Sequence, residues 1–132
     1  MDIVNRHTVP PFTTKDTSTI REIMAPANSR VTRQSLAEAE LLPGRSTQAH
    51  FHPNTEEIYY ILQGVGEIAI EGEVRSVVPC DAVAIPPGSR HQIRNSGNGI
   101  LVFLCCCVPA YTHSDTVMCD PLFDTTEQAA GR

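Results

Sequence analysis

From Ser18 onward this chain is a succession of short β-branched or alternating runs, cut every roughly 8–12 residues by clusters of Gly, Pro or Asn. The cuts fall at Pro43-Gly44, Pro53-Asn54, Gly64-Val65-Gly66, Gly72, Pro79, Pro86-Pro87-Gly88 and Gly97-Asn98-Gly99. Runs this short cannot make long helices, and punctuation this regular suits hairpins that pack sheet on sheet or close into a barrel. The pattern predicts an all-β fold with strands at about 19–24, 33–41, 46–52, 57–63, 66–71, 73–78, 82–85, 90–95 and 99–107. One segment carries mixed signals. Gln34 to Leu42 is rich in Ala, Glu and Leu, which favour helix, yet it lies between strands and stops at Pro43-Gly44, and context assigns it to a strand.

The flanks differ. Residues 1–17 are polar, Thr-rich and interrupted by Pro10-Pro11, and read as an extended arm that needs a surface to lie on. Residues 18–110 form the β domain, and residues 111–132 lose the alternation and end in a polar tail expected to fray. At 132 residues the chain can bury one core without disulfides or a structural metal to hold it together.

Charge narrows the partners. Ten Lys and Arg against 15 Asp and Glu give a formal net charge of -5, with no basic stripe to neutralise nucleic-acid phosphates or an anionic membrane surface. Met1 to His7 has neither a basic start followed by an apolar run nor a cleavage site, and the longest apolar run, Ile100 to Ala110, is too short to span a bilayer and contains Pro109. The expectation is a soluble cytoplasmic protein. Five cysteines, three of them adjacent at Cys105, Cys106 and Cys107, do not suit a secreted disulfide framework. They read as small hydrophobes in a buried strand, with Cys105 and Cys107 on one face and Cys106 on the other.

Two clusters carry the chemistry. In the first, Gly44 is followed by His50-Phe51-His52, then Glu57, then Gly64. Side chains two apart on a strand share a face, so His50 and His52 can present two imidazole nitrogens to one point, and the turn at Pro53-Asn54-Thr55 brings Glu57 onto the neighbouring strand beside them. In the second, Pro86-Pro87-Gly88 aims His91 toward the same point from across the fold, with Asn95 four residues on. Three imidazoles and one carboxylate make a nitrogen and oxygen set that suits Fe(II), Mn(II), Ni(II), Co(II), Cu(II) or Zn(II). Glu56 competes with Glu57, but a regular strand would turn it to the opposite face. His7 and His113 have no ligand spacing.

These clusters resemble the two signature motifs of the cupin superfamily, Gly-x5-His-x-His-x3–4-Glu-x6-Gly and Gly-x5-Pro-x-Gly-x2-His-x3-Asn. Gly44, His50, His52, Glu57 and Gly64 match the first, and Pro86, Gly88, His91 and Asn95 match the second. Cys80 stands where the second motif begins with Gly, a departure that touches a turn and leaves the ligands intact. The resemblance implies a closed antiparallel jelly-roll, or double-stranded β-helix, barrel around one divalent metal ion, with iron or manganese favoured. It also implies a homodimer, paired by exchanged N-terminal arms or by sheet packing.

Alternation places Tyr59 on the inward face with Glu57, where it serves either as a general acid or base or as lining, and it adds Gln48, Ile61, Ile93 and Asn95 to the expected pocket. The function expected from the resemblance is a small-molecule metalloenzyme of dioxygenase, isomerase or lyase type. The alternatives are a metal-dependent binding or sensing module without turnover, and a storage protein, which would need no ligand quartet.

Overall fold

The computed structural model describes residues 1–123. The expected fraying of the last residues falls outside them. The described residues form eleven strands: β1 (Phe12–Thr13), β2 (Thr19–Met24), β3 (Ser35–Leu41), β4 (His50–Phe51), β5 (Glu56–Gln63), β6 (Gly66–Ile70), β7 (Glu73–Val77), β8 (Ala82–Ile85), β9 (His91–Asn95), β10 (Leu101–Val108) and β11 (Val117–Met118). They form two antiparallel sheets, one ordered β1-β2-β3-β10-β5-β8 and the other β11-β4-β9-β6-β7. This jelly-roll arrangement corrects one expectation, because the hydrogen-bonded ladder does not close into a single barrel. The chain changes sheet at every connection except β1–β2, β2–β3 and β6–β7, and two facing sheets result.

Between the sheets lies a core of Leu41, Ile61, Ile68, Val77, Ile85, Ile93, Leu101 and Phe103, all buried. Each fully buried aliphatic or aromatic side chain is worth about 1.5–3 kcal/mol relative to leaving it exposed. Segment β3 is a strand despite its composition, because β2 and β10 pair with it on either side. Its inward residues include the small Ala37 and Ala39, while outward Glu38 and Glu40 take salt bridges from Arg6 and Arg21 at 2.9 and 2.8 Å. Helix propensity loses here to ladders of backbone hydrogen bonds on both sides, the one to β10 continuous and the one to β2 broken by a register shift.

Two motif positions show why their residue types are used. Gly64 has φ 82°, and a Cβ there would lie 2.5 Å from the Ile100 carbonyl oxygen, so only glycine fits the β5–β6 turn. Cys80 adopts φ 77° in the turn closed by Asp81 N–H on the Val78 carbonyl, the left-handed backbone that the family's glycine would take without strain.

The predicted 46–52 strand is mostly irregular. Ser46 pairs with Arg94 and His50 with His91, so four steps along one chain match three along the other. The extra residue is a bulge, and it reverses the alternation upstream of His50. Outside the predicted domain limits, Phe12 and Thr13 pair with Ile20 and Thr19, and Val117 and Met118 pair with Phe51 and His50.

Candidate metal centre

The two sheets supply different parts of the site. His50 on β4 faces His91 on β9 directly, and His52 follows one residue beyond the end of β4. Glu57 comes from β5 of the opposite sheet, where the buried and exposed positions alternate strictly: Glu57, Tyr59 and Ile61 point inward, and Glu56, Ile58 and Tyr60 point out. Among the described residues, the ligand atoms of His50, His52 and His91 lie within 4.8 Å of one another, and all three residues are buried, so they could hold one metal ion.

Each imidazole is fixed from behind. The Nδ1 of His50 donates to the Gln48 carbonyl at 2.8 Å, that of His91 to the Ser89 carbonyl at 2.9 Å, and that of His52 to the Asp115 carbonyl at 3.2 Å. A carbonyl can only accept, so Nδ1 carries a proton in each ring, and Nε2 is the nitrogen left to face the site. Glu57 Oε1 lies 3.4 Å from the Nε2 atoms of both His52 and His91. Among the described residues, Glu57 Oε1 and His91 Nε2 are the buried side-chain nitrogen or oxygen atoms with no hydrogen-bond partner. Leaving such atoms unsatisfied costs about 1–3 kcal/mol each, and a cation bound between them would remove that cost.

The electrostatics follow from burial. Burial, with the neighbouring His91, lowers the His50 pKa to about 4. Burial alone would raise the Glu57 carboxyl, but the adjoining His52 and His91 imidazoles hold it well below the usual carboxylate range. His52 also loses by burial, yet Glu57 beside it leaves its pKa raised. For Tyr59, burial and the nearby Glu57 charge both act upward, and the phenol keeps its proton well above its ordinary range.

Beside the imidazoles is a cavity that opens to solvent, walled by β2, β3, β5 and β10. His50, His52, Glu57 and Tyr59 line it. The other expected lining residues do not. Ile61 and Ile93 are wholly buried in the core beyond it, and the Asn95 amide is spent on the carbonyls of Leu41 and Gly99 at 2.9 and 2.8 Å. Gln48 is exposed, because the bulge before His50 turns Thr47 and Ala49 inward in its place.

Three contributions were missed by reading strands alone. Asp16, in the turn between β1 and β2, lines the cavity with Oδ2 3.8 Å from His50 Nε2, while its Oδ1 accepts from the Ser18 backbone and hydroxyl at 3.1 and 2.6 Å. Cys107 donates from Sγ to Glu57 Oε2 at 3.2 Å, and Cys105 lines the same face. Asp115 accepts from the backbone N–H groups of Asn54 and Thr55 and so ties down the turn between His52 and Glu57. The run Thr14 to Ser18 carries the turn signature that could have flagged Asp16.

Comparison with known proteins agrees with this architecture. The family model described as a cupin domain matches residues 37–107. Protein MJ1618 of Methanocaldococcus jannaschii is 44% identical over 108 residues, 82% of this chain and 86% of that protein. The tetracenomycin polyketide synthase protein TcmJ of Streptomyces glaucescens is 31% identical over 78 residues, 59% of this chain, and the match spans only about half of that protein, 52%. The polyketide cyclase RemF from Streptomyces resistomycificus superposes with a TM-score of 0.77 at 22% identity, covering 99% of this chain and 97% of that one, a likeness of fold. With its two signature motifs, its paired antiparallel sheets and a family match over more than half its length, this chain belongs to the cupins.

Proposed function

We propose that this cupin is a small-molecule metalloenzyme in which His50, His52, Glu57 and His91 hold one divalent transition metal, iron or manganese in first place. The observation that carries the reading is the pair of buried, partnerless atoms, Glu57 Oε1 and His91 Nε2, set among three imidazoles whose Nδ1 protons are already committed to backbone carbonyls. Nitrogen and carboxylate donors of this kind fit such an ion. When bound, the ion supplies Lewis acidity toward an oxygen of the substrate.

The chain's own residues do the rest. The cavity admits a small molecule to the open side of the centre, and the apolar Phe103 and Ile20 exclude water from part of it. Tyr59, with its ring edge-on to His91 at 5.9 Å, holds a proton on its phenol and can donate it toward a molecule in the cavity. The relatives named for polyketide synthesis support chemistry on a small organic molecule. Dioxygenase, isomerase and lyase reactions all fit this apparatus. A homodimer belongs to the same proposal, since the outer face of the first sheet exposes Ile58, Tyr60 and Leu62 side by side along β5.

Elemental analysis of untagged protein, followed by an oxygen-uptake screen with small organic acids, sugars and phenols, tests the reading. About one metal per chain with substrate-dependent turnover is expected. Oxygen consumption would mark the dioxygenase branch, and turnover without it the isomerase or lyase branch. Metal-dependent binding with no turnover would leave a binding module and overturn the enzyme reading.

A further inference from the structure

The charge pattern of the cavity wall points to a class of ligand, given the metal reading above. Among the described residues, no Lys or Arg lines the cavity, whereas Asp16, Glu22 and Glu57 do. Cations do lie nearby, but each is turned away. Lys15 sends its ammonium to the Thr116 carbonyl at 3.0 Å, Arg21 is paired with Glu40 on the outer face, and Arg6 with Glu38. The rest of the wall is apolar or hydroxyl-bearing, including Phe12, Ile20, Ala39 and Phe103.

Formal charges at the centre then decide what fits. Three neutral imidazoles, one divalent cation and the carboxylates of Glu57 and Asp16 sum to zero, and Glu22 on the wall adds one negative charge. A neutral ligand leaves that balance intact, while a dicarboxylate adds two negative charges to a pocket whose described residues offer no further cation to meet them. Asp16 has one oxygen saturated by Ser18 and turns the other, Oδ2, to the His50 side of the cavity. An acceptor so placed rewards a hydroxyl donor and repels a carboxylate.

We propose that the cavity selects neutral, hydroxyl-bearing, largely apolar molecules over carboxylic acids, and that Asp16 is the residue that sets this preference.

Catechol and phthalate, the same ring with two neighbouring hydroxyls or two carboxylates, are suitable probes. Titration calorimetry of the Mn(II)-loaded protein should find catechol bound at least about tenfold more tightly than phthalate. Asp16→Asn keeps the Oδ1 acceptor that Ser18 needs and removes the charge, and it should shrink the preference by about tenfold or more. Glu22→Gln, at a residue whose side chain makes no hydrogen bond among the described residues, should shift it in the same direction by less. Phthalate binding as tight as catechol binding, no catechol binding, or an Asp16→Asn preference equal to the wild type would each overturn the proposal. Mn(II) uptake is measured separately by titrating the metal alone. If uptake fails, the metal reading falls, and the catechol-to-phthalate ratio of the metal-free protein, where no cation offsets the two carboxylates, still decides the selectivity.

Discussion

Cys107 Sγ donates to Glu57 Oε2 at 3.2 Å across the β10–β5 ladder, and this bond leaves Oε1 of the same carboxylate facing His52 and His91. The thiol is thus more than filler in an apolar strand. Burial and the Glu57 charge push its pKa up, so it stays a thiol and a donor. Cys107→Ala should cost about 1–3 kcal/mol by stranding Oε2 in the interior, whereas Cys107→Ser should restore most of that stability. Chemical denaturation reads both. Equal stability of the two variants would show that the bond carries no weight.

The two adjacent glutamates offer a sharp contrast, since β5 turns Glu57 inward and Glu56 to solvent. Glu56→Gln should leave metal affinity unchanged. Glu57→Gln should lower it by more than the roughly 10–100-fold that loss of an outer partner of a ligand costs. Competition with a chelator of known affinity measures both, and the opposite order would assign the wrong carboxylate.

Tyr59 lines the cavity with a phenol that burial keeps protonated. Tyr59→Phe removes only the hydroxyl. If Tyr59 donates a proton in the reaction, kcat should fall by roughly 10²–10⁴ with KM little changed. Steady-state kinetics on the identified substrate separates the cases: a loss confined to KM means orientation only, and unchanged kinetics returns Tyr59 to the wall of the cavity, packed at 4.7 Å on Phe103.

Acid should weaken the metal-free protein through His50. In the folded chain its pKa is lowered to about 4 by burial and His91, while in the unfolded chain it titrates near 6.5. Between those values the unfolded state binds more protons, so this contribution to stability is lost as pH falls from about 6.5 to 4. His52 acts in the opposite sense, its pKa raised by Glu57, with stability present below the ordinary histidine value and lost as pH rises through the folded one. Urea midpoints of metal-free wild type and His50→Asn at pH 7 and 4.5 should show the smaller acid loss in the variant. Identical losses would place the effect elsewhere.

How far the sequence could be read depended on whether a residue's environment is set locally. The strands from β5 to β10 were legible because period-two alternation and Gly or Pro turns are local signals, and the inward placement of Glu57 and Tyr59 follows from the same rule. Gln48 failed for the opposite reason. Its facing depends on a bulge defined by the partner strand, since Ser46 meets Arg94 and His50 meets His91, and no pattern within 46–52 announces the extra residue. Asp16 and Asp115 were missed because each reaches the site from a flank by a long-range contact, Asp16 beside His50 and Asp115 under His52, and composition had described those flanks only as polar.

The central claim is that the three imidazoles and Glu57 are a metal site and that the fold stands without the ion. Metal content of wild type and His91→Ala, measured by elemental analysis on protein whose β-sheet spectrum is recorded in parallel, tests it most directly. The account predicts about one metal per wild-type chain and a small fraction of that in a His91→Ala protein that remains folded, because Ile61, Ile93, Leu101 and Phe103 hold the core. A folded His91→Ala protein that keeps the wild-type metal content would contradict it.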